Sequence, residues 1–226
     1  MSPWVRRLVK VFRWGGVVNS TIQAKKNRIP PGKLAFDVDG VFADTFRVFV
    51  KTARNEYGIH VEYEDITEYD FRKVIDIDEK TSNEIIRRIL DNPLAMGIPP
   101  VFGSVDVLTR LSQIGPLVFV TARPERAAIL EWIQVQLQGV GADLIHLAAT
   151  STHEEKLPVL LKHGIRYFVE DRLETCYLLR KTSVTPIVFE QPWNRKPHPF
   201  QSVKNWYEIE ALVQWDGDGG HEREKA

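Results

Sequence analysis

Cysteine is nearly missing from this chain. Cys176 is the single one in 226 residues, so no intrachain disulfide can form and no multi-cysteine zinc site can be built. A reducing compartment is permitted, and the cytoplasm is the expected location. An excess of charge is missing too. Lys+Arg and Asp+Glu are both 30, so bulk electrostatics names no polyanionic partner, and no nucleic acid polymer is expected. No apolar run approaches the length of a membrane span. No uninterrupted apolar region with a small-residue cleavage site marks a secretory signal. There is no internal repeat. What is left is an ordinary globular composition, 43% hydrophobic and 27% charged, long enough for one large domain or a core with an inserted module.

Residues 1–32 differ from the rest. Arg6, Arg7, Lys10, Arg13, Lys25, Lys26 and Arg28 come with almost no acid, and Trp4, Phe12 and Trp14 are interleaved with them. Three readings stay open for this basic arm: an interfacial helix on anionic lipid, a segment docked on the core or on a second subunit, or a poorly ordered leader. Docking is favoured over membrane contact, because two tryptophans are a large apolar area to leave in water. Docking on a second copy would make a homo-oligomer. Pro30-Pro31-Gly32 then breaks the chain.

The next stretch organises everything after it. Leu34 to Val38 reads as a short buried strand, and it ends in Asp37 and Asp39, with Gly40 behind them. Strand alternation puts both carboxylates on one side, where they repel unless a proton or a cation intervenes. A hard divalent cation such as Mg²⁺ suits them. Gly40 allows a tight turn and offers N–H groups to an anion.

Thr45 to Tyr57 has helical spacing and ends at Gly58, and a capping box at Thr81–Glu84 starts a helix near Ser82 that stops before Asn92-Pro93. Residues 42–103 therefore form a small helical cap inserted after the first strand. Regular alternation follows: a helix from Ser104 to Ile114, a strand at 117–120 ending at Thr121, a helix from Pro124 to about Gln138, and a strand at 144–147. A Thr152–Glu155 capping box opens a helix at 153–163. A strand at 166–169, a helix at 173–181, a strand at 186–189 and a helix at 203–213 complete the set. Residues 216–226 read as a disordered polar tail. The expected fold is α/β: a Rossmann-like parallel sheet flanked by helices, its core made of 33–41 and 104–215.

In such a sheet the carboxyl ends of the strands share one edge, where ligands bind. That edge collects Asp37 and Asp39, then Thr121, Ala122 and Arg123, then Glu170 and Asp171, with Lys156 in the first turn of a nearby helix. The carboxylates suit Mg²⁺, and the hydroxyl, the lysine and free backbone N–H groups suit a phosphate. Each residue alone has a structural explanation, as a cap or a surface ion pair. Together those explanations require four coincidences on one edge.

The segments FDVDGVFADT, FVTARP, the lysine of THEEKLPVL, and YFVEDR resemble the four motifs of the haloacid dehalogenase-like hydrolase superfamily, over roughly residues 33–190. The insert, its TEYDF stretch, FEQPWNR at 189–195 and VKNW at 203–206 are similar to the 5′(3′)-deoxyribonucleotidase-like group. The fourth motif has Glu170-Asp171 where two aspartates are commoner, and the basic arm lies outside the pattern.

The resemblance implies hydrolysis of a phosphate monoester in two steps. Asp37 is then the nucleophile that becomes an aspartyl phosphate, and Asp39 is the general acid and base. Mg²⁺ is held by the Asp37 carboxylate, the Asp39 carbonyl and Asp171, with Glu170 acting through water. Gly40, Thr121, Ala122 and Lys156 grip the phosphate. Phe42, Phe46, Phe49 and Arg123 are the expected substrate pocket, and the aromatic supply of the cap, with Tyr69 and Phe71, favours a nucleoside monophosphate. A sugar phosphate or other small metabolite is the alternative substrate, and a non-catalytic phosphate-binding regulatory protein is the alternative outside enzymes.

Overall fold

A computed structural model describes residues 28–215 of the chain. The tail at 216–226 and all of the basic arm except 28–32 lie outside the described residues, so the readings made for them stand as expectations.

Six parallel strands form one sheet in the order β3-β2-β1-β4-β5-β6. They are β1 (Leu34–Phe36), β2 (Leu117–Thr121), β3 (Ile145–Ala149), β4 (Tyr167–Glu170), β5 (Thr185–Phe189) and β6 (Gln201–Val203). Strand order reverses at β1, so the crevice beside it is the place where such a sheet binds its ligand.

Side-chain alternation divides the strands between two layers. Phe36, Phe119 and Val169 point into a large core with Trp132 and Trp206, whereas Ala35, Val120 and Phe168 meet Leu160 and Leu179 on the other face. Helices α3 (Ser104–Ser112), α4 (Arg126–Gln136) and α7 (Trp206–Glu210) cover the first face; α5 (Lys156–Lys162) and α6 (Leu173–Leu179) cover the second.

The segment between β1 and α3 leaves and returns through a narrow neck. Asp44 N–H donates to Pro99 O at 2.9 Å, and Val101 N–H donates to Phe42 O at 2.7 Å. Beyond the neck, α1 (Thr45–Tyr57) packs on α2 (Glu79–Asp91). Gly58 ends α1 at φ 67°, a left-handed conformation that glycine adopts without strain.

Several local expectations shift. Helix α2 starts three residues before Ser82, because Asp78 and not Thr81 is its cap: the Asp78 carboxylate accepts from Thr81 N–H at 2.9 Å. Gly103 precedes α3 in a left-handed conformation, and Ser104 caps nothing. The single helix expected at 203–213 is instead β6 followed by α7, with Asn205 accepting from Glu208 N–H at 3.0 Å as the cap between them.

Candidate active site

β1 stops at Phe36, and the chain turns almost at once. Val38 O accepts from the N–H groups of Phe42 and Ala43, and Gly40 N–H donates to Ala43 O at 2.9 Å. Two expectations change as a result. Asp37 and Asp39 do not share a strand face, and the Gly40 amide is spent in the turn rather than free for phosphate. Gly40 has another role. At φ 74° an added Cβ would lie 2.2 Å from Asp171 Oδ2, so only glycine lets the turn approach that carboxylate.

Each aspartate has its own cation. Asp37 is 4% exposed; its Oδ1 accepts from Val38 N–H at 2.8 Å and its Oδ2 lies 2.9 Å from Lys156 Nζ. Lys156, fully buried, also donates to Glu170 Oε2 at 2.9 Å. It therefore sits behind Asp37 as a bridge between two carboxylates rather than on the cavity wall. Burial would lower a lysine's pKa, but the two carboxylates outweigh it and hold Lys156 charged.

Asp39 faces Arg123, which lies at the carboxyl end of β2. Arg123 Nε donates to Asp39 Oδ2 at 2.9 Å and Arg123 Nη2 to Oδ1 at 2.7 Å, a fork on both oxygens. Thr45 Oγ1 donates to the same Oδ1 at 2.5 Å. Burial alone would raise the Asp39 pKa; the guanidinium and the hydroxyl bring it below the usual carboxylate range. A carboxylate has four lone-pair positions, and three of these are taken. The fourth, on Oδ2, is left for a proton in transit.

Asp37, Glu170 and Asp171 each present an oxygen within 4.8 Å of the others, all three buried. Burial, and then the charge of Glu170, push Asp37 and Asp171 upward. Glu170 Oε1 accepts from the N–H groups of Asp171 and Arg172, and Asp171 Oδ2 accepts from Trp193 Nε1 at 3.0 Å. Asp171 Oδ1 is buried with no partner. Three carboxylates against one lysine leave negative charge uncompensated, and one carboxylate oxygen among them is orphaned. An all-oxygen set of this kind fits a hard divalent cation. Asp171 offers the free oxygen, while both Glu170 oxygens are engaged.

A cavity of about 400 Å³ separates this edge from the cap. Asp37, Asp39, Thr121, Ala122 and Arg123 line its core side; Phe46, Phe49, Tyr69 and Phe71 line its cap side. Thr121 Oγ1 accepts from Arg123 N–H at 3.2 Å, which fixes the hydroxyl toward that edge. Phe42 is corrected to a core residue. It is fully buried, its ring stacked 5.5 Å from Phe119 and edge-on to Trp132 at 4.9 Å. Phe49 touches the cavity but is 2% exposed, packed 4.5 Å from Phe71. Phe46 is half-buried and gives the cavity more of its ring. Arg123, expected to reach a leaving group, is committed to Asp39.

Some residues of the site carried no role in the sequence reading. Thr45 lies in the same run as the aspartates and could have been found as a hydroxyl beside them. Gln191, Trp193 and Asn194 stood out as a motif without a purpose. Gln191 Nε2 donates to Gly40 O at 2.6 Å, Asn194 Nδ2 donates to Asp171 O at 2.8 Å, and Trp193 holds Asp171. Together they brace the acidic cluster. His153 also lines the cavity, edge-on to Tyr69 at 5.8 Å; burial, then Lys156 and Arg172, push it down to about 4, so it is neutral near pH 7.

Residues 32–215 match the family described as 5′ nucleotidase, deoxy (Pyrimidine), cytosolic type C protein. A protein named as a nucleotidase from Clostridium acetobutylicum is 21% identical over 187 residues, covering 80% of this chain and 92% of its own. Among solved structures, a haloacid dehalogenase-like family hydrolase from Streptococcus pneumoniae superposes with TM-score 0.54 at 15% identity, covering 80% of this chain and 97% of its own. CbbY from Rhodobacter sphaeroides, solved in complex with phosphate, gives TM-score 0.50 at 17% identity, covering 78% and 95%. At these identities the two structures speak to the fold alone.

Proposed function

The chain belongs to the family described as 5′ nucleotidase, deoxy (Pyrimidine), cytosolic type C protein, within the haloacid dehalogenase-like phosphatases, and from that premise we propose that it hydrolyses nucleoside monophosphates through an aspartyl-phosphate intermediate in the cytosol. The observation that carries the proposal is Asp37. It is a buried carboxylate at the end of β1, aligned by Val38 N–H and Lys156 Nζ, on the wall of a cavity of about 400 Å³.

In the first step an Asp37 oxygen forms a bond to phosphorus, the bond from phosphorus to the ester oxygen breaks, and Asp39 Oδ2 gives that oxygen a proton. In the second, water attacks phosphorus, Asp39 takes its proton, and phosphate leaves Asp37 free. The ion pair with Arg123 favours the ionised Asp39 that the second step needs. The anionic phosphate arriving beside Asp39 favours the protonated form that the first step needs. Thr121 and the Ala122 amide lie at the core wall, where they can hold phosphoryl oxygens. Asp37, the Asp39 carbonyl and Asp171, with Glu170 acting through water, would hold Mg²⁺, and the ion would supply the positive charge that lets an anionic nucleophile meet an anionic phosphate. The cap rings exclude water and give the nucleoside an apolar bed.

The test is phosphate release from UMP, CMP, AMP, glucose 6-phosphate and p-nitrophenyl phosphate, with Mg²⁺ and with EDTA. Nucleotides should lead, and EDTA should silence them all. Acid-quenched enzyme should carry phosphate on the peptide containing Asp37. Preference for the sugar phosphate would replace the substrate and keep the phosphatase. Turnover in Asp37→Asn would remove the mechanism, and no turnover of any substrate by the unaltered protein would leave a phosphate-binding protein.

A further inference from the structure

Arg123 joins two parts of the molecule that must cooperate. Its Nε and Nη2 hold both oxygens of Asp39. Its remaining terminal nitrogen, Nη1, donates to Ile89 O at 3.4 Å and Leu90 O at 3.5 Å. Those carbonyls belong to the last turn of α2, on the cap. The Arg123 side chain is 2% exposed, so water does not replace a partner that leaves. Its donors are fixed in one plane, so it cannot turn toward one set of acceptors without losing aim at the other. The last carbonyls of a helix are also its negative end, which favours a cation there.

On the opposite side the cap is fastened by a different kind of contact. Glu64 pairs with Arg195, Lys196 Nζ lies 2.6 Å from Glu68 Oε2, and Tyr63 OH donates to Gln191 Oε1 at 2.9 Å. The two ion pairs there are largely exposed, and exposed pairs contribute little. The α2 contact is the more deeply buried one, and it ends on the group that moves the proton.

We infer that Arg123 is a positioning residue through which seating of the α2 end of the cap sets the orientation of Asp39. With α2 seated, all three guanidinium nitrogens have acceptors and the free lone pair of Asp39 Oδ2 is aimed into the cavity. With α2 lifted, Nη1 loses both carbonyls, the guanidinium re-orients, and Asp39 loses its alignment. Proton transfer is thereby confined to the state in which the cap covers the substrate. This rests on the proposed role of Asp39 as acid and base, and it moves Arg123 from a leaving-group contact to a relay.

Arg123→Lys keeps a charge but not the fork. With UMP and Mg²⁺, kcat should fall about 10- to 100-fold while KM stays within about threefold, the scale of a lost acid–base contribution. With p-nitrophenyl phosphate, whose leaving group needs little protonation, the fall in kcat should be several times smaller. In the free protein, amide hydrogen exchange at the end of α2 should speed up, a readout that needs no substrate. Thr45→Val is the comparison: it removes another Asp39 partner and should lower kcat without changing α2 exchange. Arg123→Gln serves the same readouts if the lysine variant loses its near-UV signature. A rise in KM at constant kcat would overturn the inference and make Arg123 a substrate contact. Unchanged α2 exchange would break the link to the cap even if kcat fell. Failure of the unaltered protein to turn over p-nitrophenyl phosphate would count against the phosphatase reading instead, and the exchange result would still judge the contact.

Discussion

The two walls of the cavity are built on opposite principles. On the core side almost every polar atom is committed. Asp37, Asp39, Glu170, Lys156 and Arg123 form two ion-pair networks with contacts of 2.7 to 2.9 Å. On the cap side most of the wall is rings and aliphatic chains, Phe46, Phe49, Phe71, Ile86 and Leu90 among them, with Asp70, Arg72 and Asn83 as its polar members. Charges must be aligned before the reaction to be of use in it, so the core wall tolerates no slack. A bed for a leaving group needs area and shape, and area can be redistributed among neighbours. Chemistry should therefore fail in all-or-none fashion on the core side, and selectivity should change by degrees on the cap side.

Asp37→Asn is the strongest test of the first half. It keeps the shape of the side chain and removes the nucleophile, so turnover should fall at least about a thousandfold for every phosphate ester alike. Circular dichroism and the melting midpoint should show an intact fold. Substrate-dependent loss would mean that the core wall also selects.

Phe42→Ala breaks the comparison in a different place. Phe42 begins the cap in sequence, but its ring belongs to the core, against Phe119, Trp132 and Trp206. Truncating a buried phenylalanine costs about 3–5 kcal/mol. Chemical denaturation should show that loss, with KM for nucleotides nearly unchanged in the protein that remains folded. A selective rise in KM would return Phe42 to the pocket.

These contrasts also explain what was legible in the sequence. Strands β1 to β5 and α1 carry their pattern locally, in short apolar runs and helical spacing closed by Gly58. The site's residue types were legible because parallel strands bring their ends to one edge. β6 was not, since Gln201–Val203 is three residues long with two of them exposed, and its pairing with β5 supplies the strand. Nor were the pairings within the site. Arg123 and Asp39 are 84 residues apart. Gln191 reaches Gly40 across 151. Spacing cannot say which cation meets which carboxylate, so two aspartates that looked like one repelling pair turned out to sit in separate networks.

Trp193→Phe probes the border between the walls. The indole packs 4.5 Å from Phe46 of the cap, while its N–H holds Asp171 Oδ2. Phenylalanine keeps much of the ring contact and drops the hydrogen bond. Partners that orient metal ligands are typically worth 10- to 100-fold in metal affinity. Titration calorimetry with Mg²⁺ should show a loss toward the lower end of that range, because Gly40 and Asn194 still confine Asp171. Nucleotide preference should stay as it was. A changed preference with unchanged Mg²⁺ affinity would assign Trp193 to the cap wall.

Phe46→Ala should have the smallest effect, and it tests the graded behaviour of the cap directly. Phe46 is the second residue of α1, next to the Thr45 whose hydroxyl holds Asp39, and it is half-buried and lines the cavity. Its ring leans on Trp193 at 4.5 Å and on Phe71 at 6.0 Å. A base stacked on an aromatic ring gains roughly 1–3 kcal/mol. Phe46 shares the wall with Phe49 and Phe71, so the lower part of that range applies, about 1 kcal/mol, or about fivefold at 1.36 kcal/mol per decade. The change should appear in kcat/KM for UMP and be absent for acetyl phosphate, which has no body to lie on the ring. The same cut at Phe49, already packed against Phe71, should instead lower the stability of the cap and affect both substrates together. Equal loss on both substrates for Phe46→Ala would mean that this ring, like Phe49, only holds the cap in shape. The bed for the leaving group would then have to be sought farther along α2, at Ile86 and Asn83.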